Sequence, residues 1–448
     1  MSFHYQCMPF LYFCVVLILC IQILSTSVSG ANEYRDDKYI EYGDVLEDYP
    51  AYHDHRRPVC SPDDTSNNEQ RCLNPSDFVL NEFFVAGINL ARYNNNRHAV
   101  PAPKYRHFNE YRLHTRPFLL YHDFDIGDKI QGNETWMDLI LIRRHLQRPS
   151  ISFYSDKVAR KRWLKERGYP QPFLFYSEYR DLLTPKRLNA SQEELAQAIL
   201  PRIPTTHGFC AKPNHMSMTM GNWLVDIDPY QKDRPVKFSR TAKQLRDDQV
   251  FDSRECADSL AHGLLREAAT IESFALKNIR PGFVVEELIS NHEDRSLPPH
   301  EFCIFVVWGR VYIAQWNSVE VTNRYLDGFI YRDGSIVPGC DFKGTLPEWV
   351  PWNEMVMMAE SLATGKDMFR VDFLVGVPRY SPPGTAPRAV LSECAFHTNT
   401  QWCNSFMAEE LVRLWIAGYK IGNYHVVENP EIPPDFLSKA QLYNLNHP

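Results

Sequence analysis

The sequence predicts an α+β fold with mainly antiparallel strands, and three observations carry that expectation. An amphipathic helix over 156–167 sets Val158, Trp163 and Leu164 among basic residues; Asp156 is its N-cap, and Gly168 ends it ahead of Pro170 and Pro172. A strong hairpin joins 302–307 to 311–316 across Trp308-Gly309-Arg310. Two further apolar strands, 368–375 and 389–395, flank the proline-rich loop 378–387 and read as antiparallel neighbours.

The remaining elements follow from the same periodicities. Residues 137–145 read as a helix, and Ser191 with Glu194 three positions on caps a short one over 191–200. A strand over 209–211 delivers Lys212 to a loop, with Pro213 as its stop. A long helix over 252–277 has apolar positions Leu260, Leu264, Leu265, Ala268, Ile271 and Phe274. Residues 283–289 form a strand, and 355–363 and 411–420 form helices. No internal repeat is visible.

The chain has 448 residues, 44% hydrophobic and 23% charged, enough for a large core or two to three subdomains. A net charge of −7 and a pI of about 6.2 argue against nucleic acid as a partner. Residues 9–24 are apolar and uncharged, with small residues from Ser25 to Ala31, so 1–30 reads as a signal peptide or signal anchor. The expected location is the secretory pathway: secreted, or lumenal on a single-pass anchor in the Golgi membrane. An acidic stem over 31–75, an N-terminal subdomain over 76–150, a main domain over 151–430 and a tail over 431–448 complete the organisation.

The cysteines agree with an oxidising compartment. Cys7, Cys14 and Cys20 lie in or before the apolar run; the other eight are even in number, with Cys60–Cys72 and Cys394–Cys403 as the local pairs. Cys210 and Cys303 sit in strand-like runs and fit buried thiols better. Two sequons, Asn133-Glu134-Thr135 and Asn189-Ala190-Ser191, would carry glycans on a lumenal surface.

Five segments carry chemistry. Lys157 opens a helix, where the dipole already attracts anions. Lys212 stands at a strand end beside the loop His215 to Gly221, able to hold phosphate oxygens. Glu286 and Glu287 lie in the apolar run Val284-Val285-Glu286-Glu287-Leu288-Ile289, where burial demands partners. Asp372, in Phe369-Arg370-Val371-Asp372-Phe373, and Glu393, in Leu391-Ser392-Glu393-Cys394-Ala395, lie on neighbouring strands, where a cation between them would relieve their repulsion. A salt bridge from Arg370 to Asp372 is the plain alternative. Asp226-Ile227-Asp228 fits the metal motif of a glycosyltransferase, but a polar loop after Leu224-Val225 explains it more simply.

In order, these segments resemble the ATP-grasp superfamily, and within it the TupA-like branch. The matching pieces are Asp156-Lys157, Lys212-Pro213-Asn214-His215, Glu286-Glu287, Arg370-Val371-Asp372-Phe373, and Glu393 to Phe396, spread over 151–405. The resemblance implies two α+β lobes clamping ATP in a cleft. It assigns Lys157 and Lys212 to the phosphates, and Glu286, Glu287 and the backbone through Leu288 to adenine and ribose. Asp372, Glu393 and Asn399 would hold Mg2+, and Arg370 with Lys212 would serve catalysis. The implied activity is an ATP-dependent ligase that activates a carboxylate on a glycan or peptide acceptor. A lumenal kinase or transferase, or a catalytically inactive binding protein, are the alternatives on the same fold. The chain departs from the pattern in its methionine-rich loop Met216 to Met220, at Cys303 where a cation is expected, and at Ala395 where an Asn is expected.

Overall fold

A computed structural model describes residues 118–436 apart from 147, 187–188, 217–220, 231–236, 240–250, 267–278, 320–324, 338–344, 396–404, 423 and 434–435. The signal segment, the stem, Cys60–Cys72, Ser217 to Met220 and Asn399 therefore lie outside the described residues. No helix among those described is long and apolar enough to cross a membrane.

The chain runs β1 (Phe118–Tyr121), α1 (Trp136–Leu146), α2 (Pro149–Ser155), α3 (Lys157–Glu166) and β2 (Leu174–Tyr179). It continues through α4 (Gln192–Ile199), β3 (Phe209–Pro213), β4 (Trp223–Asp226), β5 (Lys237–Ser239), α5 (Ser253–Leu265), β6 (Gly282–Glu287) and β7 (Ile289–Ser290). Then come β8 (His300–Val307), β9 (Arg310–Val319), β10 (Tyr325–Tyr331), α6 (Trp352–Leu362), β11 (Met368–Pro378), β12 (Arg388–Ala395), α7 (Ser405–Ile421) and β13 (Tyr424–Val427).

These strands make two main antiparallel sheets, so the α+β class expected from the sequence is the class observed. One has the order β2-β6-β3-β4-β5; the other has β10-β9-β8-β11-β12, with β7 paired to β11. A parallel pair, β1 with β13, forms a third, small sheet. One face of the first sheet buries Phe209, Ala211, Trp223, Val225, Phe283 and Val285 against α4 and α5. In the second sheet Phe302, Ile304, Val306, Phe369, Val371 and Phe373 form the apolar face of a larger core that includes α1, α6 and α7. Residues 118–150 share this second core, and Phe118 packs edge-on against Trp308.

The chain passes between the two sheets through one residue. Leu288 separates β6, in the first sheet, from β7, which pairs with β11 in the second. The backbone there is already engaged: Arg379 N–H donates to the Leu288 carbonyl at 2.9 Å, and Glu287 N–H to the Phe173 carbonyl at 2.8 Å. Gly376 makes the crossing fit, because a Cβ at that position would lie 2.0 Å from the Ser290 carbonyl oxygen. The β8–β9 hairpin turns on Trp308 and Gly309, both at positive φ (47° and 75°), the left-handed pair that suits the twist of two-residue hairpins.

Three expectations change. The helix expected over 252–277 ends at Leu265, where Arg266 is extended; Ala268, Ile271 and Phe274 lie outside the described residues. The strand expected over 283–289 is broken at Leu288 because its two ends belong to different sheets. Cys394 is a buried free thiol where a local disulfide was expected, and Cys403 lies outside the described residues. Cys210 and Cys303 are buried thiols, as their strand settings suggested.

Candidate functional site

The first sheet and α3 contribute a cluster of cations. Asp156 caps α3 by accepting from Ala159 N–H at 2.9 Å, which fixes Lys157 in the first turn. Lys157 Nζ donates to the Met216 carbonyl at 2.8 Å and to the Asn214 carbonyl at 3.2 Å. Asn214, fully buried, ties the end of β3 to this helix: its Oδ1 accepts from Val158 N–H at 3.1 Å, and its amide donates to the Arg280 carbonyl at 2.8 Å.

Lys212 and Glu286 fall on one face of the first sheet, since Lys212 pairs with Val284 and Cys210 with Glu286 across β3 and β6. Lys212 Nζ donates to Glu286 Oε1, while Lys161 Nζ lies 2.7 Å from Glu286 Oε2. Burial alone would raise the Glu286 carboxyl, but the two lysines outweigh it and hold it near 2. Burial lowers the Lys212 ammonium; Cys210 and Glu286, with Glu393 beyond them, carry it above its usual value. Glu287 points the other way, accepting from Phe173 N–H at 2.8 Å and pairing with Arg388.

The second sheet contributes carboxylates. Asp372 stands in register with Glu393 on one side and Cys303 on the other, so all three share a sheet face. Arg370 Nη2 donates to Asp372 Oδ2 at 2.7 Å, so the plain salt bridge is formed. Asp372 Oδ1 is also buried, with no N–H or O–H donor among the described residues. Burial pushes the Asp372 carboxyl up to about 7; Arg370 opposes this, and Glu393 and Glu301 add to it. Glu393 moves down despite its burial, because Lys157, Arg160, Arg370 and Lys212 surround it with positive charge. Lys212 on the first sheet and Lys157 on α3 thus act on Glu393 of the second sheet. Arg160 ties α3 to the second core, donating to the Tyr154 carbonyl at 2.8 Å and to the Ser392 carbonyl on β12 at 3.0 Å.

Among the described residues no group of three or more His, Cys, Asp or Glu is gathered as a metal cage. The buried oxygen of Asp372 that lacks an N–H or O–H donor, facing Glu393, nevertheless fits a hard cation. Magnesium characteristically takes one or two protein carboxylates and completes its shell with phosphate oxygens and water. Cys303 brings no charge to this face: burial and the adjacent Asp372 carboxylate push its thiol well above the ordinary range.

Sequence reasoning missed Lys161 and Arg160. Lys161 was findable, since it follows Lys157 by four residues and so shares its helix face. Asp226, considered for a glycosyltransferase metal, is instead occupied: Arg379 donates to its two oxygens at 2.9 and 2.6 Å, and Tyr380 adds its hydroxyl at 2.5 Å.

His215, next to Asn214, is buried, and its Nε2 lies 3.0 Å from the Arg266 carbonyl. Burial, helped by Lys157 and Arg180, depresses its pKa to about 4. His300 on β8 is depressed to about 4 by burial as well. In both cases the unfolded chain takes up the proton first, near 6.5. Their stabilisation is therefore complete above pH 6.5 and should be lost as pH falls toward 4, by about 3 kcal/mol for each. Urea unfolding at pH 7 and pH 5 would test this: the drop in midpoint on going to pH 5 should be larger in the parent than in the His215→Gln/His300→Gln double variant, and equal changes in both would refute it.

No protein-family profile matches the chain, and no curated protein matches it. Solved structures do. D-alanine–D-alanine ligase from Bacillus anthracis, complexed with ATP, is 12% identical, over 60% of this chain and 69% of that one, with a TM-score of 0.30. The ATP-grasp ligase PsnB, complexed with a phosphomimetic minimal precursor, Mg and ADP, is 9% identical, over 62% and 66%, with a TM-score of 0.28. A RiPP-associated ATP-grasp ligase from Chryseobacterium gregarium, with ADP and a leader and core peptide, is 11% identical, over 66% and 71%, with a TM-score of 0.26.

Proposed function

We propose that this chain is an ATP- and magnesium-dependent ligase of the ATP-grasp type, on the TupA-like branch. In this reading it works in the secretory pathway on a carboxylate of a glycan or peptide. The observation that carries it is the opposition of charge: Lys157 on α3 and Lys212 on the first sheet lower the Glu393 carboxyl on the second sheet, beside an Asp372 oxygen without an N–H or O–H donor. A triphosphate with its metal matches that arrangement from both sides.

In this reading Lys157 and Lys212 hold the phosphates, and the Glu286–Leu288 crossing between the lobes borders the adenine and ribose. Asp372 and Glu393, with Asn399, hold magnesium, which would neutralise phosphate charge when bound. A carboxylate oxygen of the acceptor would take the γ-phosphoryl group as its bond to ADP breaks and ADP leaves, and an amine would then displace phosphate from the acyl carbon, giving up a proton to form the amide. Arg370, placed by Asp372, faces the transferring group. The exposed Asn133 and Asn189 suit glycans in a lumenal compartment.

A second reading, a binding protein without turnover, has its own support in Cys303, an uncharged thiol directly across from Asp372. ATP with magnesium is expected to raise the melting temperature of the full chain, and Lys212→Ala to abolish that rise. Equal stabilisation of both proteins would refute the phosphate assignment. Screening acidic glycans and peptides with amines for release of ADP then separates the readings: ligation supports the first, phosphorylated acceptor a kinase, and binding without release the second.

A further inference from the structure

Glu286 has two positive partners where one would neutralise it. Its side chain is 2% exposed, and each oxygen has its own lysine. The two lysines differ in access: the Lys212 side chain is 18% exposed, and that of Lys161 is 2% exposed. A ligand entering between the lobes can reach Lys212 and not Lys161. The two ammonium groups also repel each other across the shared carboxylate, and Arg160 adds to that repulsion.

We propose that Lys161 is a positioning residue that lets Lys212 exchange Glu286 for a nucleotide phosphate, an inference that rests on the ATP reading above. When Lys212 moves to the phosphate, Lys161 stays on Oε2 and keeps the buried carboxylate neutralised. Without Lys161, the departure of Lys212 would strand a buried charge, a strongly unfavourable state, so Lys212 would remain on Glu286. The triad is a built-in reserve counter-ion, and its placement explains why α3 carries lysines at both 157 and 161. Lys157 is held by loop carbonyls at the cleft, while Lys161 lies one turn deeper on the same face.

The test is a double-mutant cycle on the full chain, with affinities for magnesium–ATP and for adenosine measured by calorimetry. Lys161→Met should weaken ATP about tenfold, the scale of a lost charge-assisted contact, and leave adenosine unchanged. Glu286→Gln, which also borders the adenine and ribose in this reading, serves only as the reference background, whatever its own ATP affinity, because a neutral amide there releases Lys212 freely. Lys161→Met in the Glu286→Gln background should then bind ATP like Glu286→Gln alone, and Lys161→Arg should behave as wild type. Equal losses from Lys161→Met in both backgrounds, or an equal loss for adenosine, would overturn the inference. If Lys161→Met alone does not fold, the double variant decides, since it removes the carboxylate that needs neutralising: an ATP affinity about tenfold below that of Glu286→Gln overturns the proposal, and parity supports it. Wild-type protein that binds no ATP would overturn the parent reading and this one together; normal binding with an additive cycle would overturn this one alone.

Discussion

Asp372→Asn is expected to remove the magnesium dependence of nucleotide binding while the chain still folds. The asparagine keeps an oxygen where Arg370 Nη2 now donates at 2.7 Å, so the guanidinium stays placed. It also removes a carboxyl that burial pushes up to about 7 against the pull of Arg370, so the apo protein loses an ionised group that its surroundings disfavour. What disappears is the second carboxylate of the Asp372–Glu393 pair. Metal affinity should fall about 100-fold, at or beyond the upper range seen when even indirect supports of a metal ligand are removed. Titrating magnesium at fixed ATP and following melting temperature reads this directly. A variant whose response to magnesium matches wild type would show that Asp372 serves only its ion pair with Arg370.

That ion pair shows how far the sequence reaches. Both partners were visible two residues apart on one strand, and the register of Asp372 with Glu393 followed from two apolar strands that had to be neighbours. Local signals worked equally well for α3, whose Asp156 cap and Gly168 stop are written in adjacent residues, and for the capping box of Ser191 and Glu194. Glu286 was harder. Its strand and its need for a partner were legible, but its partners come from β3 and α3, dozens of residues away in sequence, and only docking of α3 on the sheet brings Lys161 to it. The short strands β1, β4 and β13 span four residues each, too few for a period to register, and their pairing is decided by distant segments. Leu288 illustrates a different limit. Composition reads 283–289 as one apolar strand, and nothing local marks the residue at which the chain leaves one sheet for the other.

The largest effect on stability is expected at Arg143, on α1. Its side chain and that of Asp367 are both fully buried (0% exposed), and Arg143 Nη2 pairs with Asp367 Oδ1. Arg143 Nη1 donates to the Met368 carbonyl at 2.9 Å, and the guanidinium lies over the Trp415 ring, 4.5 Å from its centroid. Asp367 Oδ2 accepts from Trp415 Nε1 and from the Tyr419 hydroxyl, each at 2.6 Å. One ion pair therefore joins α1, the start of β11 and α7 around a single buried charge. Arg143→Met would leave the Asp367 carboxylate in the core without a cation, which should destabilise the fold by about 3–5 kcal/mol. Burial already pushes the Asp367 carboxyl above its ordinary value even with Arg143 present, so without it the group would protonate on folding. Adding Asp367→Asn removes the charge and keeps an acceptor for Trp415 and Tyr419, so the double variant should be more stable than Arg143→Met alone. Urea midpoints for the parent, both single variants and the double variant measure the coupling. An Arg143→Met shift below about 1 kcal/mol, the scale of an exposed pair, would mean that water reaches Asp367 and that this junction does not hold the second lobe together.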